Sequence, residues 1–230
     1  MTQQQHGVDV ESLYPFLYSD RGNIDSVLDE VRQSTVAKAH EIIELRRSVL
    51  ATHGPRIMAC ARQMAQCFAA GGRLFACGNG GSSTDSQELV SLFLCPTGGA
   101  RPRPAFGLTN DIAVVTAMTN DIGFDIVFAR QLAAMGRAND IVVGLSTSGN
   151  SENLLRAFDE ASRRGMLTVG IAGYDGGKMA ELDSIDHLFV VPCPSVHRIQ
   201  EAQTTIYHAL WELVDALHEQ PVEHTRGDDQ

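Results

Sequence analysis

The stretch Arg73-Leu-Phe-Ala-Cys-Gly-Asn-Gly-Gly-Ser-Ser83 decides the fold. Its first five residues, Arg73 to Cys77, make a short apolar run of the length of a buried strand. Glycines and serines follow, and a helical pattern begins near residue 84. Four more runs repeat the theme: Ala105 to Leu108, Ile141 to Leu145, Leu167 to Ile171 and His187 to Val191. Helical segments near 84–94, 111–118, 124–135, 151–164 and 177–182 separate them, and a last helix is expected over 198–218. Such alternation predicts an α/β fold, a doubly wound, mainly parallel sheet of five strands with helices on both faces. Ligands of such sheets sit beyond the carboxyl ends of the strands.

Upstream of Gly71-Gly72 the apolar spacing is helical over Asn23 to Leu50 and again over Pro55 to Ala70, with Asn23 as the expected cap and Asp25 in the first turn. Residues 1–22 read as a polar extension carrying Tyr14, Phe16, Leu17 and Tyr18, which either dock on a partner or fray. Residues 23–218 read as a single domain with its N-terminal helices, and 219–230 as a mobile tail. Gly98, Gly99, Pro102 and Pro104 mark a loop.

A hydrophobic content of 43% over 230 residues is enough for one large core. The formal net charge of −10 provides no broad cationic surface for nucleic acid and opposes an anionic membrane. Without a signal-like segment or a run near the roughly 20 apolar residues that cross a bilayer, a soluble, cytoplasmic protein is expected. Cys60, Cys67, Cys77, Cys95 and Cys193 form no C-x-x-C pair, so they are expected to be thiols of a reducing compartment.

An acidic chain must meet an anionic ligand locally, and two loops are suited to it. Cys77-Gly-Asn-Gly-Gly-Ser-Ser83 and Ser146-Thr-Ser-Gly-Asn-Ser151 each follow a strand and open a helix. Glycines let backbone approach an anion, and the N–H groups at a helix start supply hydrogen bonds and a positive dipole end. The bland reading of either loop alone is a serine-capped turn. Two hydroxyl-rich loops after different strands of one parallel sheet favour a shared phosphate site. Neither the lysine of a P-loop nor the G-x-G-x-x-G fingerprint is present, which speaks against a nucleotide.

These segments, together with Thr119-Asn120-Asp121, Gly173-Tyr-Asp-Gly-Gly-Lys-Met179 and Arg198-Ile-Gln-Glu201, resemble the phosphoheptose isomerases of the SIS superfamily, in the family's order over about residues 24–217. The resemblance implies an aldose–ketose isomerase that works through an enediol on sedoheptulose 7-phosphate or a related phosphosugar. It implies contacts to the sugar phosphate from Asn79, Gly80, Gly81, Ser82, Asn120, Asp121, Ser146, Thr147, Ser148, Ser151 and Gln200. It also implies a homotetramer and a catalytic histidine at His208.

The departures fall on the chemistry. Where the family carries a histidine and, four residues on, its catalytic glutamate, this chain has Glu88 and Leu92. Leucine cannot take a proton. Glu88 lies one turn earlier on the same helical face, about 6 Å along the axis, and is the expected base with His208 as acid. Glu88, Gln200 and His208 are the residues left for a replacement zinc site. Gln200 and His208 stand about 12 Å apart along an ideal helix, so a shared ion calls for an irregular first turn at Gln200. The alternative function is a non-catalytic SIS module, a phosphosugar-binding or protein-binding scaffold related to the branch that associates with the replication initiator.

Overall fold

A computed structural model describes residues 24–218; the expected Asn23 cap, the extension 1–22 and the tail 219–230 lie outside the described residues. The chain divides into two compact units, one ending at Glu44 and one beginning at Leu45.

Helix α1 runs Ile24–Ala69 without interruption and contains Pro55. The two helical stretches expected on either side of Pro55 are thus one helix. Proline removes a single N–H and leaves only the carbonyl four residues earlier unpaired within the ladder, a loss a long helix with continuous bonding on both sides can absorb. In its second half Ile57, Cys60, Ala61 and Met64 are buried, at the i, i+3, i+4, i+7 spacing of a single stripe.

The second unit alternates strands and helices in the order β1 (Leu74–Gly78), α2 (Gly81–Leu94), β2 (Ala105–Gly107), α3 (Ile112–Asp121), α4 (Val127–Met135), β3 (Ile141–Ser146), α5 (Glu152–Arg163), β4 (Leu167–Gly173), β5 (His187–Val191) and α6 (Val196–His218). Short 3-10 turns stand at Phe124–Ile126 and Gly177–Glu181. All five strands are parallel, in the order β2-β1-β3-β4-β5. Every residue of β1 and β3 is buried, because helices cover both faces of the sheet centre. Phe75, Phe128, Leu132, Val142, Leu154 and Phe158 are among the core side chains packed there.

This strand order reverses the direction of winding between β1 and β3, which pair from Leu74↔Ile141 to Gly78↔Leu145. A crevice opens at such a switch point beyond the carboxyl ends. The two hydroxyl-rich loops leave from these two neighbouring strands.

Among the described residues no helix is long and apolar enough to cross a membrane. Cys60 and Cys77 are buried thiols pushed upward by desolvation, Cys77 to about 12; Cys95 is exposed.

Candidate active site

The two loops at the switch point are tied to each other. Asn79 Nδ2 donates to Asn153 Oδ1 at 2.9 Å, and Asn153 Nδ2 donates back to Asn79 Oδ1 at 3.0 Å. Asn153 is buried at the start of α5, so this reciprocal amide pair fixes the spacing of the two helix entrances. Neither entrance is capped by its own side chain. Gly80 and Ser151 stand at the cap positions, and the Ser151 hydroxyl lies 3.2 Å from Ser146 Oγ. The N–H groups of Ser82, Ser83 and Leu154 turn back onto the carbonyls of Asn79, Gly80 and Ser151, so the first-turn N–H groups of Gly81, Glu152 and Asn153, at the favourable end of each dipole, are the ones that face a ligand.

The second loop is held in a tight turn. Ser146 Oγ accepts from Gly149 N–H at 3.1 Å and Ser148 Oγ from Asn150 N–H at 3.2 Å. Gly149 sits at φ 66°, and a Cβ there would collide with the Gly176 carbonyl oxygen. The turn after β4 packs against this loop through Lys178 N–H donating to Asn150 Oδ1 at 3.0 Å and Met179 N–H to the Gly149 carbonyl at 3.0 Å. Ser146 is buried, Thr147 and Ser148 half-buried, and Ser82 buried at the first turn of α2.

Helix α6 borders the first loop. Gln200 approaches Gly81 so closely that a Cβ on Gly81 would overlap its amide nitrogen, and that nitrogen donates to Asp85 Oδ2 at 3.2 Å. Burial pushes Asp85 above the usual carboxylate range, with the neighbouring Glu88 charge adding to it and the Gln200 bond opposing it. Two turns beyond Gly81, about 10 Å along α2, Glu88 meets α6 again. Tyr207 donates its hydroxyl proton to Glu88 Oε2 at 2.6 Å, and His208 Nε2 lies 3.0 Å from Glu88 Oε1. These bonds, that of Tyr207 foremost, hold Glu88 below the ordinary glutamate range; burial and the Glu88 charge push Tyr207 far up.

Asn120 and Asp121 stand apart from this cluster in their bonding: both are exposed at the end of α3, and Asn120 Nδ2 donates to Asp121 Oδ1 at 2.9 Å. Leu92 is half-buried, one turn beyond Glu88 on α2.

The zinc set does not assemble. Helix α6 is regular through Gln200, so Gln200 and His208 stay about 12 Å apart along the axis. The Gln200 amide nitrogen is turned to Asp85, and both Glu88 oxygens accept hydrogen bonds. Among the described residues no group of three His, Cys, Asp or Glu is placed to hold a metal ion.

Asn153, Asp85 and Tyr207 join the site from outside the residues that the sequence pattern points to. Asn153, a polar residue just ahead of the apolar Leu154-Leu155, and Tyr207, directly before His208, were the available signals.

The SIS domain family matches residues 39–173, which hold β1 to β4 and both hydroxyl-rich loops. The phosphoheptose isomerase of Desulfovibrio desulfuricans is 43% identical over 193 residues, covering 83% of this chain and 89% of that protein. That of Roseiflexus sp. is 38% identical over 190 residues, covering 82% and 91%. The structure of phosphoheptose isomerase from Neisseria gonorrhoeae superposes with a TM-score of 0.75 at 36% identity, over 81% of this chain and 99% of that one. A Francisella tularensis phosphoheptose isomerase gives 0.73 at 32% identity, over 83% and 98%. The chain belongs to the phosphoheptose isomerase family of SIS-domain proteins.

Proposed function

We infer that this chain is an aldose–ketose isomerase of phosphosugars, acting on sedoheptulose 7-phosphate or a closely related compound. Kinship at 38–43% identity with proteins named phosphoheptose isomerase supports the reaction class. The observation that carries the site is the Asn79–Asn153 pair, which joins two uncapped, hydroxyl-rich helix entrances at the switch point. The phosphoryl group is assigned to Gly80, Gly81, Ser82, Ser146, Thr147, Ser148 and Ser151, by backbone amides and hydroxyls in place of cations. From there the sugar extends along α2, past Asn79 and Gln200, toward Glu88 and His208. The distance of about 10 Å from Gly81 to Glu88 suits a substrate whose phosphate is at the opposite end from its carbonyl.

Isomerisation moves one proton between adjacent carbons and another between their oxygens, with no atom gained or lost. The proton transfer is assigned to the Glu88–His208 pair. Asn120 and Asp121 are assigned to the sugar end, from the family resemblance. The scaffold alternative is not favoured, because the relatives are isomerases, and the hydrogen-bonded Glu88–His208 pair supports a proton-transfer role. A homotetramer and a cytoplasmic location accord with the family and with an acidic chain of reduced thiols.

The test is incubation with sedoheptulose 7-phosphate in deuterated water, followed by mass detection of product and label. Product carrying one deuterium on carbon is expected. Ligand binding without product or label would return the chain to the scaffold reading.

A further inference from the structure

Glu88 and Tyr207 raise a question of roles that the isomerase reading leaves open. A general base needs a free lone pair within reach of the carbon-bound proton. Glu88 has one oxygen 2.6 Å from the Tyr207 hydroxyl and the other 3.0 Å from His208 Nε2. Each oxygen keeps a further lone pair, but the two donors lower the basicity of the carboxylate and fix its orientation. Its strength lies in orienting its partner.

The tautomer of His208 follows from the same contacts. Ionised Glu88 can only accept, so Nε2 must carry the proton of the 3.0 Å bond. In the neutral ring Nδ1 then holds the lone pair, and among the described residues nothing bonds to it. Carboxylates that fix an imidazole's tautomer and direction in this way are common partners of reactive and ligating histidines. Tyr207 is itself fully buried on α6, so the carboxylate is clamped from beneath by a residue that cannot drift. The imidazole is 36% exposed, which keeps one edge open to a ligand. The titratable groups around Glu88 are Asp85 on its own helix and Tyr207 and His208 on α6.

Resting on the isomerase reading above, we propose that Glu88 and Tyr207 are positioning residues that hold His208 with Nε2 protonated, and that His208 Nδ1 is the atom that moves the carbon-bound proton. The Nδ1 lone pair takes the proton from the carbon next to the carbonyl, and the C–H electron pair forms the enediolate. The imidazolium, paired with the Glu88 carboxylate, returns the proton to the neighbouring carbon. The oxygen-bound proton passes between the two oxygens through solvent, and the ring ends neutral. The chain thus replaces a carboxylate base by a Tyr–Glu–His relay in which Leu92 has no part.

Two measurements decide it. The first is carbon-bound deuterium incorporation from deuterated water with sedoheptulose 7-phosphate as the probe. His208→Gln should lose about 10²- to 10⁴-fold. Glu88→Gln, whose amide oxygen still accepts from Nε2, should lose only about 10- to 100-fold. Tyr207→Phe should lower kcat about 2- to 10-fold with KM unchanged. If Glu88→Gln loses as much exchange as His208→Gln, Glu88 carries the proton and the proposal falls. The second is the tautomer of His208 in the ¹⁵N-histidine-labelled protein, assigned by its disappearance in His208→Gln. A neutral ring protonated on Nε2 is expected, with mixed tautomers in Glu88→Leu. A neutral ring protonated on Nδ1 would overturn the proposal even if the wild-type protein turned over nothing. Absence of wild-type turnover and label, with the Nε2 tautomer observed, would instead overturn the isomerase reading alone.

Discussion

Replacing Gly149 by alanine tests whether the second loop is built by backbone contact. Gly149 has φ 66°, and an added Cβ would overlap the carbonyl of Gly176, with Gly177 N at 3.1 Å. Both neighbours are backbone, so no side chain can turn aside. The left-handed conformation costs a residue with a Cβ about 1–2 kcal/mol, and forcing the two loops apart about 1–3 kcal/mol more. Gly71 is the control, since it has φ 82° and nothing within 4 Å of an added Cβ. Gly71→Ala should carry the conformational cost alone. At about 2–4 °C per kcal/mol for a chain of this size, the Gly149 variant should melt about 2–12 °C below the Gly71 variant. Separation of this loop from the turn after β4 also breaks the bonds from Met179 N–H to the Gly149 carbonyl and from Lys178 N–H to Asn150 Oδ1. A saturating phosphosugar at 100 times its Kd should stabilise wild type and Gly71→Ala by about 2.7 kcal/mol, and Gly149→Ala by far less. Thermal melts with and without sedoheptulose 7-phosphate read both effects. Equal midpoints for the two variants, or an undiminished ligand increment in Gly149→Ala, would refute the reasoning.

Asn153→Ala leaves the Asn79 amide without its partner and should cost about 1–3 kcal/mol in urea unfolding, with a raised KM; an unchanged KM would separate the pair from the site. Asp140, buried beside β3, receives Arg73 Nη2 at 2.6 Å, Arg73 N–H at 2.8 Å and Arg137 N–H at 3.0 Å. Asp140→Ala strands these donors and should destabilise by about 3–5 kcal/mol, read from the urea midpoint. Tyr207→Phe removes the foremost cause of the low Glu88 pKa. Glu88 is depressed in the fold, so its ionised form is present above its pKa and is lost as pH falls through it. In Tyr207→Phe that loss should begin at a higher pH, read as an upward move of the Glu88 carboxyl titration in the ¹³C-labelled protein; an unmoved titration would refute the Tyr207 bond as the foremost cause.

The strands, their order along the chain and the two loops were legible in the sequence because each is a local property. Five apolar runs alternate with helical spacing, and glycine and serine cluster where a strand hands over to a helix. The residue-level departure at Glu88 and Leu92 was legible too, since it is a matter of identity at a position. Pro55 was misleading as a boundary: a proline weakens one bond of a ladder, and whether the helix continues depends on the packing of the segments beside it, here a buried stripe from Ile57 to Met64. What only the tertiary structure decided is adjacency. The loops after β1 and β3 are joined by Asn79 and Asn153, 74 residues apart in the chain, and become neighbours through the order β2-β1-β3-β4-β5, which local periodicity does not encode. Glu88 and His208 were expected as base and acid from their identities, but nothing local brings together two residues 120 positions apart. The packing of α6 beside α2 sets Tyr207 and His208 on the two Glu88 oxygens, and that contact, made across 119 and 120 residues of chain, turns an exposed glutamate into one arm of a relay.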